Sequence, residues 1–561
     1  MRPYTIFISA IAFLAFIAPT RVVAQEHKHV EVTTLYSHDL AQGTKLVAPP
    51  SVAEDSNLQP EIEYTINTDI WQINLDDHYF DPARASYWDY SRPVKTYLRT
   101  GVGMPGCSDI KFRYTTQNAR VGYFSVGFMH DGNFAARADM DHQIAKNMTT
   151  LRKMGDSFDM RNGLSLVAGT FLGSQMLEVD ANINLDRYNR YAERTTKVAG
   201  LGFKDLGLKV TYGDNFSNLN RLNFGIDLHG GYWAHEAPGV GKATHALSQY
   251  NAGAALRFAR KFGINTFGVK LGGDLYQSMS TSYNDLRISL EGEYSRDFDF
   301  VTLESAVGYM FDKVKDSAKA THTPILRAKA LFDVGYDFVT PYIELNTTIS
   351  QNSAAGLYGV NPYIDYNVAE SAMLKIPNSR RHDFAVGVVG SLLGSKLNYR
   401  LYAGRSGIKD MLVWYVTPNG NFGVDTTDNK RMFFGAEVGY SPVGGLMLTA
   451  KIDLHKDNYK SAYKIDAPRF RGEFMAEYEI KRFRFYASAN MIGKREWSAE
   501  VESDAFSTPM TIDVHAGMSV RATSKWKFFI DGFNLLNNQI YNYAYYYQNG
   551  LGCMAGVEID F

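Results

Sequence analysis

Six residues, GVGMPG at Gly101–Gly106, fit the spacing G-x-G-x-x-G. A dinucleotide site needs that motif between a strand and a helix, so that phosphate meets the helix amino terminus. Here a proline interrupts it and the charged, alternating run DIKFRYT follows. The stretch reads as a turn, and no cofactor is expected. Two groups have metal-ligand character: Asp139, Asp141 and His142 in ADMDHQ, and His27 and His29 in EHKH. Neither is a complete ligand set, so no metal is expected. Covalent catalysis needs a nucleophile beside a base. The 13 histidines are scattered without a recognisable nucleophile motif, which predicts no catalytic residues and no enzyme. The stretch YNYAYYYQNG at 541–550 holds five tyrosines. It reads as part of an aromatic girdle at the outer headgroup level, the alternative being a platform for a sugar or peptide.

The elements that would carry these residues show a single texture over most of the chain. With 58 basic and 59 acidic side chains the formal charge is −1, so there is no footprint for nucleic acid. Two cysteines in 561 residues exclude a disulfide scaffold and a cysteine-rich zinc module. Residues 1–24 read as a secretory signal: Arg2, an apolar run from Tyr4 to Ala18, and Val-Val-Ala before Gln25. Residues 25–92 are Pro-containing, acidic and weakly periodic, and are expected to be an extended periplasmic or lumenal segment. From 93 to 561 apolar and polar residues alternate. In FRFYASANM, Phe483, Phe485, Ala487, Ala489 and Met491 share one face, opposite Arg484, Tyr486, Ser488 and Asn490.

A soluble sandwich would alternate too, but three features separate the cases. The polar face carries full charges on segment after segment. Segments of about ten residues are joined alternately by short and long connections. An export signal precedes them. Together these are the marks of an outer-membrane barrel, which lipid forces to close because an open edge would strand backbone groups in hydrocarbon. The expectation is an all-β fold: a transmembrane antiparallel β-barrel of about 22 strands with a periplasmic amino-terminal extension. Outgoing strands are expected to begin near residues 94, 121, 175, 221, 264, 299, 338, 396, 446, 483 and 525. Lumen charges follow from the alternation: Lys111, Arg113, Glu291, Glu304, Arg327, Lys329, Arg400 and Glu558. Both signs occur, so strong ion selectivity is not expected. In a closed barrel the first and last strands are neighbours, which makes Cys107 and Cys553 candidates for a seam disulfide.

The near-terminal DGFNLLNNQIY at 531–541, with Asn534, Leu535 and Asn537, resembles the penultimate-strand motif of TonB-dependent receptor barrels. The early run VEVTTLYSHDLAQGTKLVAPPSV, then PEIEYTIN and KTYLRTGVGMPG, resembles the entry segment of a plugless, Bacteroidetes-type group of them. The strand count of about 22 matches that family's barrel. A final strand ending on Phe561, with Val557 and Ile559 on the same face, resembles the signal read by the barrel-assembly machinery. The chain departs from the full receptors in having only residues 25–92 where a plug domain of about twice that length would stand. VEVTT at 30–34 has the look of a TonB box, but runs so short arise by chance.

These readings place the protein in the outer membrane of a Gram-negative bacterium, with lipid around it. The expected function is a passive or partner-gated channel for polar solutes. The alternative is a non-conducting scaffold subunit of an export or assembly complex, gripping a periplasmic or lipoprotein partner through residues 25–92.

Overall fold

The computed structural model describes residues 95–561 except 117–120, 135–157, 193–198, 239–243, 280–283, 315–319, 337 and 366–375. Twenty-two strands form one closed antiparallel barrel. Outgoing strands begin at Thr96, Gly122, Gln175, Asn223, Asn265, Val301, Thr340, Leu397, Leu446, Phe483 and Trp526, each within two residues of its expected start. Closure comes from pairing the first strand, Thr96–Met104, with the last, Gly552–Asp560, in a register running from Tyr97 opposite Asp560 to Met104 opposite Cys553.

The period-2 pattern decides which face each side chain takes. Outward positions are apolar and exposed: Val102 and Leu290 retain 70% and 54% of their accessible surface. A soluble chain would not leave such a band in water; lipid covers it. The GVGMPG stretch is a turn only in part: Gly101–Met104 complete the first strand, Pro105 and Gly106 form the bend, and the second strand, Cys107–Thr115, begins at once. At the opposite end two-residue turns such as Gly173-Ser174 and Gly263-Ile264 use glycines at φ 69° and 60°. Such turns demand positive φ at no steric cost only from glycine. Most short turns mark the periplasmic side and most long connections the outer side.

The hydrophobic core lies at the outer mouth, not in the wall. Strand ends contribute Tyr188, Phe203, Trp233, Leu247 and Val314. Val416, Phe422 and Val424 come from two further strand ends, and the segments between barrel strands contribute others, including Tyr363, Ile364, Trp497 and Tyr546. A short helix, α1 (Ala354–Val360), seats Leu357 and Tyr358 in this core; Ser353 caps it by accepting from the Gly356 amide. The barrel wall has lipid on one side and charged groups on the other, so only at the mouth can apolar side chains from different strands meet.

Candidate functional site

The loops fold together across the mouth. Tyr363, after α1, stacks on Tyr546 of the last long loop, centroids 3.6 Å apart and planes 18° off parallel. Tyr191, beyond the fifth strand (Gln175–Arg190), donates to the Tyr547 carbonyl at 3.0 Å. Arg190 donates to the Ile364 carbonyl at 2.9 Å, and Tyr543 to the Val360 carbonyl at 2.8 Å. These bonds join loops from strands far apart around the ring. The result is a cap.

The NLLNN run positions the last of these loops. Asn534, 2% exposed, sits at φ 46° and donates to the Asn538 and Asn549 carbonyls at 2.8 and 3.0 Å. Its own Oδ1 accepts from the Asn538 amide at 3.0 Å. Asparagine tolerates this left-handed conformation because its side chain bonds locally. The tyrosines beyond it are therefore not a lipid-facing girdle: Ala544, Tyr545 and Tyr546 are buried in the cap. The composition of a girdle and of a cap core is the same, and only the fold separates them.

A second knot ties three loops. Arg495 donates to both Asp466 oxygens at 2.9 and 2.8 Å and to the Tyr541 carbonyl at 2.8 Å. Trp497, 1% exposed, also donates its ring N–H to Asp466. Burial pushes the Asp466 carboxyl up to about 6, against the pull of Arg495 and Trp497. By contrast, Lys464 and Lys494 hold the exposed Glu496 down at about 2. The sign for Asp466 follows from linkage: a raised folded value means the folded cap binds the proton more tightly than the unfolded chain. Its contribution is full below the ordinary value of 3.8 and is lost as pH rises through about 6. The cap is thus expected to resist proteolysis better at pH 5 than at pH 7. Asp466→Asn should flatten that difference; an unchanged difference in the variant would assign the pH dependence elsewhere.

Beneath the cap lies a cavity of about 1170 Å³. Its roof includes Tyr358, Tyr363 and Tyr543, and its walls include Asp186, Asp205, Arg381, Arg400 and Glu437. The register puts the expected lumen charges on the face opposite the apolar band, and most stand in ion pairs. Arg327 meets Glu291 at 2.9 Å, Lys111 meets Asp109 at 3.6 Å, and Arg400 approaches Glu344 at 3.9 Å. Lys329 stands across from Glu304 on one neighbour and Glu344 on the other. Glu558 meets Arg99 at 2.7 Å. Arg113 occupies the same face as Lys111, opposite Tyr97. Val557 and Ile559 take the other face of the last strand, and Phe561 follows its end, exposed.

The seam is held differently from expectation. Cys107 and Cys553 are both free thiols. The first strand lies between them: Cys107 pairs with Gly103 and Cys553 with Met104. Two strand spacings, about 9–10 Å, exceed the reach of a disulfide. Gly103 and Met104 are successive residues, so their partners also face opposite sides of the sheet. Instead Arg99 bridges the seam. Its guanidinium donates to Asp109 on the second strand at 2.9 Å, to Glu558 on the last at 2.7 Å and to Asp531 on the strand Trp526–Phe533 at 2.9 Å. It also lies 3.7 Å from the centre of the Phe529 ring. Sequence inspection passed over Arg99 because two of its three partners, Asp531 and Glu558, are remote in the chain. Asp139, Asp141, His142, His27, His29, VEVTT and the whole of 25–92 lie outside the described residues. Among the described residues no group of three or more His, Cys, Asp or Glu side chains has the geometry to hold a metal.

No protein-family model and no curated protein matches the sequence. The fold, however, is shared with solved outer-membrane barrels. The copper transporter OprC superposes with a TM-score of 0.63 at 13% identity, over 83% of this chain and 80% of that one. The FrpB iron transporter from Neisseria meningitidis gives 0.65 at 9% identity, over 84% and 82%. The ferric enterobactin receptor of Pseudomonas aeruginosa gives 0.63 at 10%, over 83% and 80%. These neighbours are TonB-dependent receptors, transporters by name rather than enzymes. The chain is an outer-membrane β-barrel protein of a Gram-negative bacterium with 22 strands of the same architecture.

Proposed function

We propose that this chain is a TonB-dependent-receptor-like barrel of the plugless, Bacteroidetes type that works as a partner-gated channel for polar solutes. The observation that carries the reading is the cap: a buried aromatic core spanning the mouth above a charged chamber. A passive pore needs no such core. A gated one does, because the closed state must be stable until something shifts it. Segment 25–92 leads into the first strand on the short-turn side, where a periplasmic or lipoprotein partner would grip it. Val557, Ile559 and Phe561 would serve recognition by the barrel-assembly machinery, and the paired lumen charges would pass polar solutes with weak charge preference.

The test is single-channel recording in a planar bilayer, comparing the full chain with one lacking residues 25–92. The full chain is expected to be silent or rarely open, and deletion to raise its activity. Steady conductance from the full chain would replace gating by passive flow. Silence from both, and from cap variants, would favour the scaffold.

A further inference from the structure

Three polar side chains interrupt the lipid-facing band. Ser108 lies opposite Val102, an exposed outward position, and not opposite a lumen residue. His130 lies opposite Ile110 on the third strand, Gly122–Asn133, and Asn162 opposite His130 on the fourth, Asp159–Leu172. All three therefore share the outward face with Ile110, Phe128 and Leu164, each exposed.

Their geometry is ordered. Ser108 Oγ is 2.9 Å from His130 Nε2, and His130 Nδ1 is 2.8 Å from Asn162 Oδ1. Asn162 donates its Nδ2 to the Leu185 carbonyl at 3.3 Å. That bond favours one order of donors. With Nδ2 committed, Oδ1 is left to accept, so His130 carries its proton on Nδ1 and presents Nε2 as a base to the serine hydroxyl. This is the order of roles in an acyl-transfer triad, which geometry rather than sequence order defines. Gly132 makes the approach possible: a Cβ there would lie 2.7 Å from Ser108 Oγ and 3.1 Å from His130 Nε2.

The depth is right for an ester. Ser108 is one residue below the outer end of its nine-residue strand, and strands of about this length just cross the hydrocarbon. Along the same cross-strand row, past Leu185, stands Lys204, paired with Glu236 at 3.0 Å with both side chains exposed. The triad thus lies beside exposed apolar side chains and in line with an exposed ion pair. Acyl-ester carbonyls of lipids occupy that level.

We propose that Ser108, His130 and Asn162 form a site that cleaves carboxylic acyl esters of lipids at the outer face of the bilayer. Ser108 Oγ attacks the carbonyl carbon while His130 Nε2 takes its proton. The ester C–O bond then breaks as His130 protonates the departing alkoxide, leaving acyl-Ser108. Water, deprotonated by His130, releases the fatty acid and restores the serine. Asn162 is a positioning residue that holds the imidazole tautomer.

The test uses the full chain in detergent micelles with two probes: a biotinylated fluorophosphonate, located by peptide mass spectrometry, and p-nitrophenyl laurate. Labelling is expected on Ser108 and should vanish in Ser108→Ala, with ester cleavage falling at least a hundredfold. His130→Ala should do the same. Asn162→Ala should cost about tenfold and shift the pH–rate profile, and Asn162→Asp should rescue it. All three positions face outward, so the heat-modifiable mobility of the barrel should be unchanged. Absence of labelling in the wild-type chain, or equal labelling in Ser108→Ala, would overturn the proposal.

Discussion

The double variant Tyr363→Ala, Tyr546→Ala is expected to open the barrel at least a hundredfold more often than the wild type in planar-bilayer recordings. The two rings stack at 3.6 Å, and Tyr546 is 2% exposed. Truncating a buried aromatic costs about 3–5 kcal/mol, from lost transfer energy and the cavity left behind. Each 1.4 kcal/mol is a factor of ten in an equilibrium constant, so the hundredfold effect needs about 2.8 kcal/mol, close to the low end of one such truncation. The wall should survive, because its stability rests on a closed hydrogen-bonded ring that neither residue joins. Retained heat-modifiable mobility separates cap opening from unfolding. Val307→Ala, at an exposed outward position, is the control and should leave gating unchanged. A folded double variant as silent as the wild type would mean the cap is not the gate.

The barrel was legible because its rule is local. Alternation in FRFYASANM needs no knowledge of any other strand, and the same parity assigns Lys111 or Glu291 to the lumen wherever the neighbours lie. Connection lengths gave the direction of most strands for the same reason, the two-residue turn after the first strand being an exception. The cap was not legible. Its bonds join Tyr191 to Tyr547 and Tyr543 to Val360, and no periodicity links loops that meet only in space. The cysteine reading failed on a finer point. Adjacency of the first and last strands was correct, but Cys107 belongs to the second strand and faces the other side. The outward triad lies between these cases. Ser108, His130 and Asn162 each put a polar side chain where alternation demands an apolar one. Only the register shows that the three departures fall side by side.

Arg99→Ala is expected to weaken the barrel by about 3 kcal/mol, the lower end of what removing one partner of a buried ionic group costs. Arg99 and its partners are only 12–21% exposed, which limits screening by lumen water. Three carboxylates, Asp109, Asp531 and Glu558, converge on one guanidinium. Without it they would repel each other at the one place where the first and last strands of the barrel must meet. The loss should appear as a lower denaturant midpoint in detergent and as unfolding at lower temperature in gel-mobility assays. Arg99→Lys should recover only part of it, since an ammonium cannot serve three acceptors with a planar fork. Neutralising the acids tells repulsion from lost packing. Adding Asp109→Asn and Glu558→Gln to Arg99→Ala should restore stability if the unpaired charges are what destabilises the seam. No recovery would assign the effect to the lost contact with the Phe529 ring, 3.7 Å away. Wild-type stability in Arg99→Ala would mean that backbone pairing from Tyr97–Asp560 to Met104–Cys553 closes the barrel unaided.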